Sequence, residues 1–153
     1  MALVYIGLGS NVGDREEHVL RAVHEMRAFA HIRKISALSE TTPVGMENAG
    51  DFINAVCEIE TDFSPRELLD ELIRIEEEEF GRKREEKNAS REIDLDILAY
   101  DTEIVEEPGI KIPHPRMHQR RFVMEPMVEL NPQWVHPVEK KSASELLAIL
   151  PEN

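Results

Sequence analysis

The hydrophobic period of this chain switches between two and 3.6 residues several times, and the order of those switches restricts the fold more than any single motif. Leu3–Leu8 is a short apolar strand ended by Gly9-Ser10-Asn11. From Asp14 the spacing becomes helical, with Val19, Ala22, Val23, Met26 and Phe29 on one side. Ile32–Leu38 reads as a second strand, followed by the turn-rich TTPVGMENAG. Phe52–Thr61 then alternates, with Ile53, Ala55, Cys57 and Ile59 on one face and Phe52, Asn54, Val56 and Glu58 on the other. Ser64-Pro65-Arg66-Glu67 starts a helix with a capping box and proline in its first turn, and Leu68, Leu69, Leu72, Ile73 and Ile75 form its buried stripe. Ile93–Tyr100 is the next strand. The order β-α-β-β-α-β predicts an α+β, ferredoxin-like antiparallel sheet with two helices on one face. The proline-rich remainder adds short strands and helices that wrap the sheet, the last helix starting at Ser142-Ala143-Ser144-Glu145. The 153 residues, without linker or repeat, suit one domain.

The strongest chemical signal lies in Glu92-Ile93-Asp94-Leu95-Asp96-Ile97-Leu98. At a strand period of two, Asp94 and Asp96 project from one face and repel each other, a penalty that a bound cation removes. Hard oxygen ligands favour Mg²⁺ or Mn²⁺, ions that also share substrate phosphates. Taken alone, the pair is equally an exposed edge strand with acids facing water. The surroundings favour the cation. The net charge is −13, yet residues 82–91 carry five bases against two acids, and residues 111–121 carry four bases and no acid. Guanidinium groups beside a carboxylate-held cation are suited to phosphoryl transfer.

Phe52 and Asn54 share the strand face turned away from the helices, a plane and an amide suited to a flat, hydrogen-bonding heterocycle. Phe122 could supply a second plane, although each ring alone is more often core. Gly7-Leu8-Gly9-Ser10-Asn11-Val12-Gly13 has the wrong spacing for a dinucleotide fingerprint, and no phosphate-binding G-x-x-x-x-G-K-[ST] loop exists. Gly7 and Gly9 instead allow a backbone or a ring to approach the strand end. The acidic balance argues against nucleic acid and anionic membranes as partners. A lone cysteine, no signal peptide and no membrane-length apolar run point to a cytoplasmic chain. The partners expected are small molecules, and the chain is expected to be a monomer.

Six segments in order, GLGSNVGDR (7–15), TTPVG (41–45), DFINAV (51–56), FGRKR (80–84), REIDLDIL (91–98) and IPHPRMHQRRFV (112–123), resemble the 6-hydroxymethyl-7,8-dihydropterin pyrophosphokinase family. The resemblance implies transfer of the β,γ-diphosphate of ATP to a pterin alcohol, with release of AMP, as a step of folate biosynthesis. By position it implies that Asp94 and Asp96 bind two Mg²⁺ ions and that Arg82 and Arg91 stabilise the transferring group. Phe52 and Phe122 would sandwich the pterin, with Asn54 at its edge and backbone groups near Gly9, Thr41, Thr42 and Val44. Arg84, His114 and Arg120 would hold ATP phosphates or ribose, and the main chain at Ile97 would read adenine. Glu77 aligns by its distance from Gly81, with Glu76 an equal alternative. Two departures stand out: residues 85–90 (EEKNAS) lack the family's tryptophan, and Phe52 replaces a common tyrosine.

Overall fold

The computed structural model describes residues 1–42, 50–81 and 92–151. Strand β1 (Ala2–Ser10) leads through α1 (Arg15–Met26) to β2 (His31–Ile35) and β3 (Ser39–Thr41), then to β4 (Phe52–Thr61), α2 (Pro65–Arg74) and β5 (Asp94–Tyr100). The sheet order is β2-β4-β1-β5, with β3 also paired to β4 and all pairings antiparallel. This is the ferredoxin-like arrangement that the period switches predict. The expected strand 32–38 stops at Ile35, and β3 begins only at Ser39, beyond the expected range; Ser36 shows why. Its N–H donates to the Val56 carbonyl at 2.9 Å, while its hydroxyl accepts from Val56 N–H at 2.9 Å, so a side chain takes one place in the ladder.

Two cores lie on opposite faces of the sheet. Val4, Ile6 and Leu8 of β1, Ile53, Ala55, Cys57 and Ile59 of β4, and Leu95 and Ile97 of β5 meet α1 and α2 on the first face. Helix α1 contributes Val19, Ala22, Val23 and Met26, and α2 contributes Leu68 and Leu72, followed by Ile75. The helix starts match their sequence signals: the Asp14 carboxylate accepts from Glu17 N–H, and Ser64 and Glu67 form a reciprocal capping box.

On the second face, Tyr5, Val56 and Leu98 pack with Met117, Met124, Met127 and Trp134. These come from the C-terminal third, which supplies α3 (Arg121–Leu130) and α4 (Ala143–Ala148). The last helix starts at Ser142 with a second capping box. A buried polar brace ties this layer to the sheet: the Tyr5 hydroxyl donates to Glu58 at 2.6 Å, Asn131 donates to that hydroxyl at 3.1 Å, and Arg33 donates to Glu58 at 3.0 Å. Burial, and then the bond to Glu58, raises the pKa of the Tyr5 hydroxyl far above its ordinary value. Beside β5 lies a hairpin of β6 (Val105–Glu107) and β7 (Ile110–Ile112), turned at Gly109 with φ +81°. Among the described residues, no helix is long and apolar enough to cross a membrane.

Replacing Ser64 with alanine removes one partner of the α2 capping box, and urea denaturation should show a loss of about 1 kcal/mol with an unchanged m-value.

Candidate active site

The strand register builds the site. Gly9 pairs with Asn54 on one side and with Asp94 on the other, and Gly7 likewise lies between Val56 and Asp96. Asn54 and Asp94 are therefore two strand spacings apart, about 10 Å at ~4.8 Å per spacing, with only glycine between them. An added Cβ at Gly9 would sit 3.3 Å from Asn54 Oδ1 and 3.4 Å from Phe52 Cδ1, so the amide and the ring already lean over that position. Asn54 Nδ2 donates to Thr41 Oγ1 at 2.8 Å, which fixes the amide and leaves its oxygen on the Gly9 side. The result is a floor without side chains, bounded by an aromatic ring and an amide on one edge and by two carboxylates on the other.

β5 is the edge of the sheet. The Leu95 N–H points away from β1 and donates to Glu76 Oε2 at 2.8 Å. By the alternation of an antiparallel ladder, Ile97, two residues on, also turns its main-chain groups outward. They face a cavity of about 310 Å³ lined by Leu69, Asp96, Ile97, Lys111, His114 and Pro115 among others. A widened π turn, Ile75–Glu79, continues α2. It turns Glu76 inward, fully buried, and leaves Glu77 exposed. The acid that meets β5 is therefore Glu76 and not Glu77, because the extra residue in the turn changes the helical phase.

His114 closes the cavity. Its N–H donates to the Leu98 carbonyl at 2.9 Å, which pins the loop to β5. Its Nδ1 accepts from Arg116 N–H at 3.1 Å, which assigns the proton of the neutral ring to Nε2. Burial first, then the positive charges of Arg120 and Arg116, opposed by Asp94, push its pKa down to about 4. That balance of charges places His114, Arg116, Arg120 and Asp94 in one neighbourhood. The Arg120 guanidinium also lies 5.5 Å over the Phe122 ring, at the start of α3 and beside the second core.

Gly9, Phe52, Asn54, Thr41, Asp94 and Asp96 thus share one face, and Ile97 and His114 border the adjoining cavity. Thr42 is exposed just past β3. Val44, Arg82, Arg84 and Arg91 lie outside the described residues. The sequence reading did not single out Leu69 or the β6–β7 hairpin as cavity walls. Leucine carries no chemical signature, whereas Pro108-Gly109 flanked by short apolar runs could have announced the hairpin.

A family model described as 7,8-dihydro-6-hydroxymethylpterin-pyrophosphokinase matches residues 5–132. The chain belongs to this family. A pyrophosphokinase from Aquifex aeolicus is 42% identical over the whole chain and 93% of its own length. One from Bacillus subtilis is also 42% identical, over 93% of this chain and 83% of its own. Among solved structures, a Plasmodium falciparum protein titled HPPK-DHPS superposes with a TM-score of 0.76 at 14% identity, over 96% of this chain. This chain spans 44% of that structure, a likeness that concerns fold alone. Pyrophosphokinases of this family are ATP-dependent diphosphokinases of the folate pathway.

His114 should not titrate near its ordinary pKa of 6.5. An NMR pH titration should keep its imidazole neutral until about pH 4. Between those two values the unfolded chain binds the proton and the folded chain does not, so this residue makes the fold less stable as pH falls from 6.5 towards 4.

Proposed function

We propose that the chain transfers the β,γ-diphosphate of ATP to the hydroxymethyl group of 6-hydroxymethyl-7,8-dihydropterin in a Mg²⁺-dependent reaction that releases AMP. The supporting observation is the register that sets Asp94 and Asp96 across the Gly7/Gly9 floor from Phe52 and Asn54. A pterin is flat and carries donors and acceptors along its edge. In this reading it would lie between the Phe52 and Phe122 rings, with Asn54 Oδ1 and the main chain at Gly9, Thr41, Thr42 and Val44 along that edge. Phe52 provides the plane without a hydroxyl.

The carboxylates suit Mg²⁺ in type. They are hard oxygen donors on one strand face, and among the described residues no cluster of three or more histidine, cysteine or acidic side chains forms a closed cage. Two strand carboxylates leave most of an octahedral shell to water and phosphate oxygens. Two ions held by Asp94 and Asp96 would neutralise phosphate charge and align the triphosphate.

The rest of the work falls to the protein. The outward main chain of Ile97 offers a donor and an acceptor to adenine in the cavity, with Leu69 as an apolar wall. His114 Nε2–H, Arg120 and Arg84 donate to phosphate or ribose oxygens. Arg82 and Arg91 carry charge to the group in transfer. Catalysis here is positioning and neutralisation, since the hydroxymethyl oxygen must meet the β-phosphorus in line with the departing AMP. Glu76 acts through Leu95 N–H, holding the strand between the two carboxylates. We place the activity in the cytoplasm, in a monomer.

Incubation with ATP, Mg²⁺ and the reduced hydroxymethylpterin should yield AMP and the pterin diphosphate in equal amounts. Pyrophosphate in place of AMP would assign a nucleotidyl transfer instead. Asp94→Ala and Asp96→Ala should each cut AMP formation by at least about a hundredfold with the fold intact by circular dichroism. Near-normal turnover in either variant would refute the metal assignment. Gly9→Ala should raise KM for the pterin while leaving that for ATP within about twofold, because the new methyl displaces the Asn54 amide and the Phe52 ring.

A further inference from the structure

Helix α1 begins with a cation where a helix favours an acid. Arg15 is its first residue, and the helix dipole disfavours positive charge in a first turn that Glu16 and Glu17 otherwise suit. The reach of the side chain accounts for its place. Nη1 donates to the Asp51 carbonyl at 2.8 Å, and Nη2 lies 2.9 Å from Glu40 Oε1. One guanidinium fork therefore holds two strands at once. A lysine ammonium, a point charge on a flexible stem, lacks the fork.

Both partners stand at the open end of the β3–β4 pair. Glu40 precedes Thr41 and Asp51 precedes Phe52, and Thr41 pairs with Phe52 on the last rung. β3 is three residues long and, among the described strands, is paired with β4 alone. The turn before α1 presses on the same place. Asn11 Nδ2 donates to the Gly50 carbonyl at 3.3 Å, and a Cβ at Gly50 would come within 3.1 Å of the Asn11 carbonyl oxygen. Residues 50–51 are thus met from below immediately before the Phe52 ring.

The candidate site lies on the other face of this pair. Residues opposite each other across an antiparallel ladder share a side of the sheet, and Glu40 is opposite Ile53, which belongs to the first core. Arg15 therefore reaches the strands from the helix side. Thr41 and Phe52, one residue further along each strand, turn to the far side. There Thr41 holds the Asn54 amide and Phe52 leans over Gly9. The side chains of Arg15 and Glu40 are 32% and 55% exposed, and an ion pair so open to water adds little to global stability. What the fork governs is local geometry.

We propose that Arg15, backed by Asn11, is a positioning residue for the pterin. It closes the open end of the β3–β4 pair from below, and so fixes the Phe52 ring and the Thr41–Asn54 bond against the Gly9 floor. This inference rests on the function proposed above. Its effect falls on the pterin and not on ATP, whose cavity borders β5 across the floor.

The test is steady-state AMP formation by Arg15→Ala, Phe52→Ala and the double variant, with the pterin and ATP varied separately. Expected for Arg15→Ala is a pterin KM higher by about tenfold, the scale of one displaced hydrogen bond or ring contact, with kcat and the KM for ATP within about twofold. In the Phe52→Ala background the same change should cost less than about threefold, because the ring is gone and only the Asn54 amide is left to displace. Arg15→Lys should recover only part of the loss. An unchanged pterin KM overturns the proposal, and so does full recovery by lysine, which would make charge alone sufficient. A rise in both KM values, or one that multiplies in full with Phe52→Ala, also overturns it, since each describes general loosening of the fold. Should Arg15→Ala not fold, Glu40→Gln carries the same comparison from the exposed side of the contact, with a pterin KM raised a few-fold that again shrinks in the Phe52→Ala background. A wild-type chain that releases no AMP refutes the functional reading itself, a result separate from any of these.

Discussion

The pairing of β1 with β4 on one side and β5 on the other is the constraint on which the rest of the molecule depends. Side chains alternate along each strand, so a slip of one residue would move every group to the opposite face. The first core sets the register: Val4, Ile6 and Leu8 must meet Ile53, Ala55 and Cys57 under two helices. Once those contacts are made, Gly7, Gly9, Asn54, Asp94 and Asp96 have no other face to occupy. The first core fills one face of the sheet, and the candidate site shares the other face with the second core. The second core, built on Tyr5, Val56 and Leu98, covers the rows beyond and leaves the strand ends open.

The charge distribution has a similar division. A net charge of −13 repels phosphate over most of the surface, yet at physiological salt charges separated by more than about 8 Å are largely screened. The positive groups around the cavity are local: Lys111 on its wall and Arg120 close to His114, whose proton sits on Nε2. A neutral His114 adds no further cation beside Asp94.

Much of this was legible in the sequence because hydrophobic period and capping chemistry are local. The strand 52–61, the helix starts at Ser64 and Ser142, and the shared face of Asp94 and Asp96 follow from residues no more than a few positions apart. The missed features depend on distant partners. Ser36 interrupts a strand because its hydroxyl finds Val56, twenty residues away. Leu69 becomes a cavity wall only when the β6–β7 hairpin folds beside it.

The π turn at Ile75–Glu79 makes counting along the chain a poor guide to this part of the fold. Numbering back from Gly81 selects Glu77, whereas the backbone presents Glu76. A widened turn of this kind takes up a residue without displacing the elements at either end. Chains that share this architecture can therefore differ in length between α2 and the glycine and still offer β5 the same acid. In comparing them, three-dimensional superposition, not spacing, identifies the equivalent carboxylate.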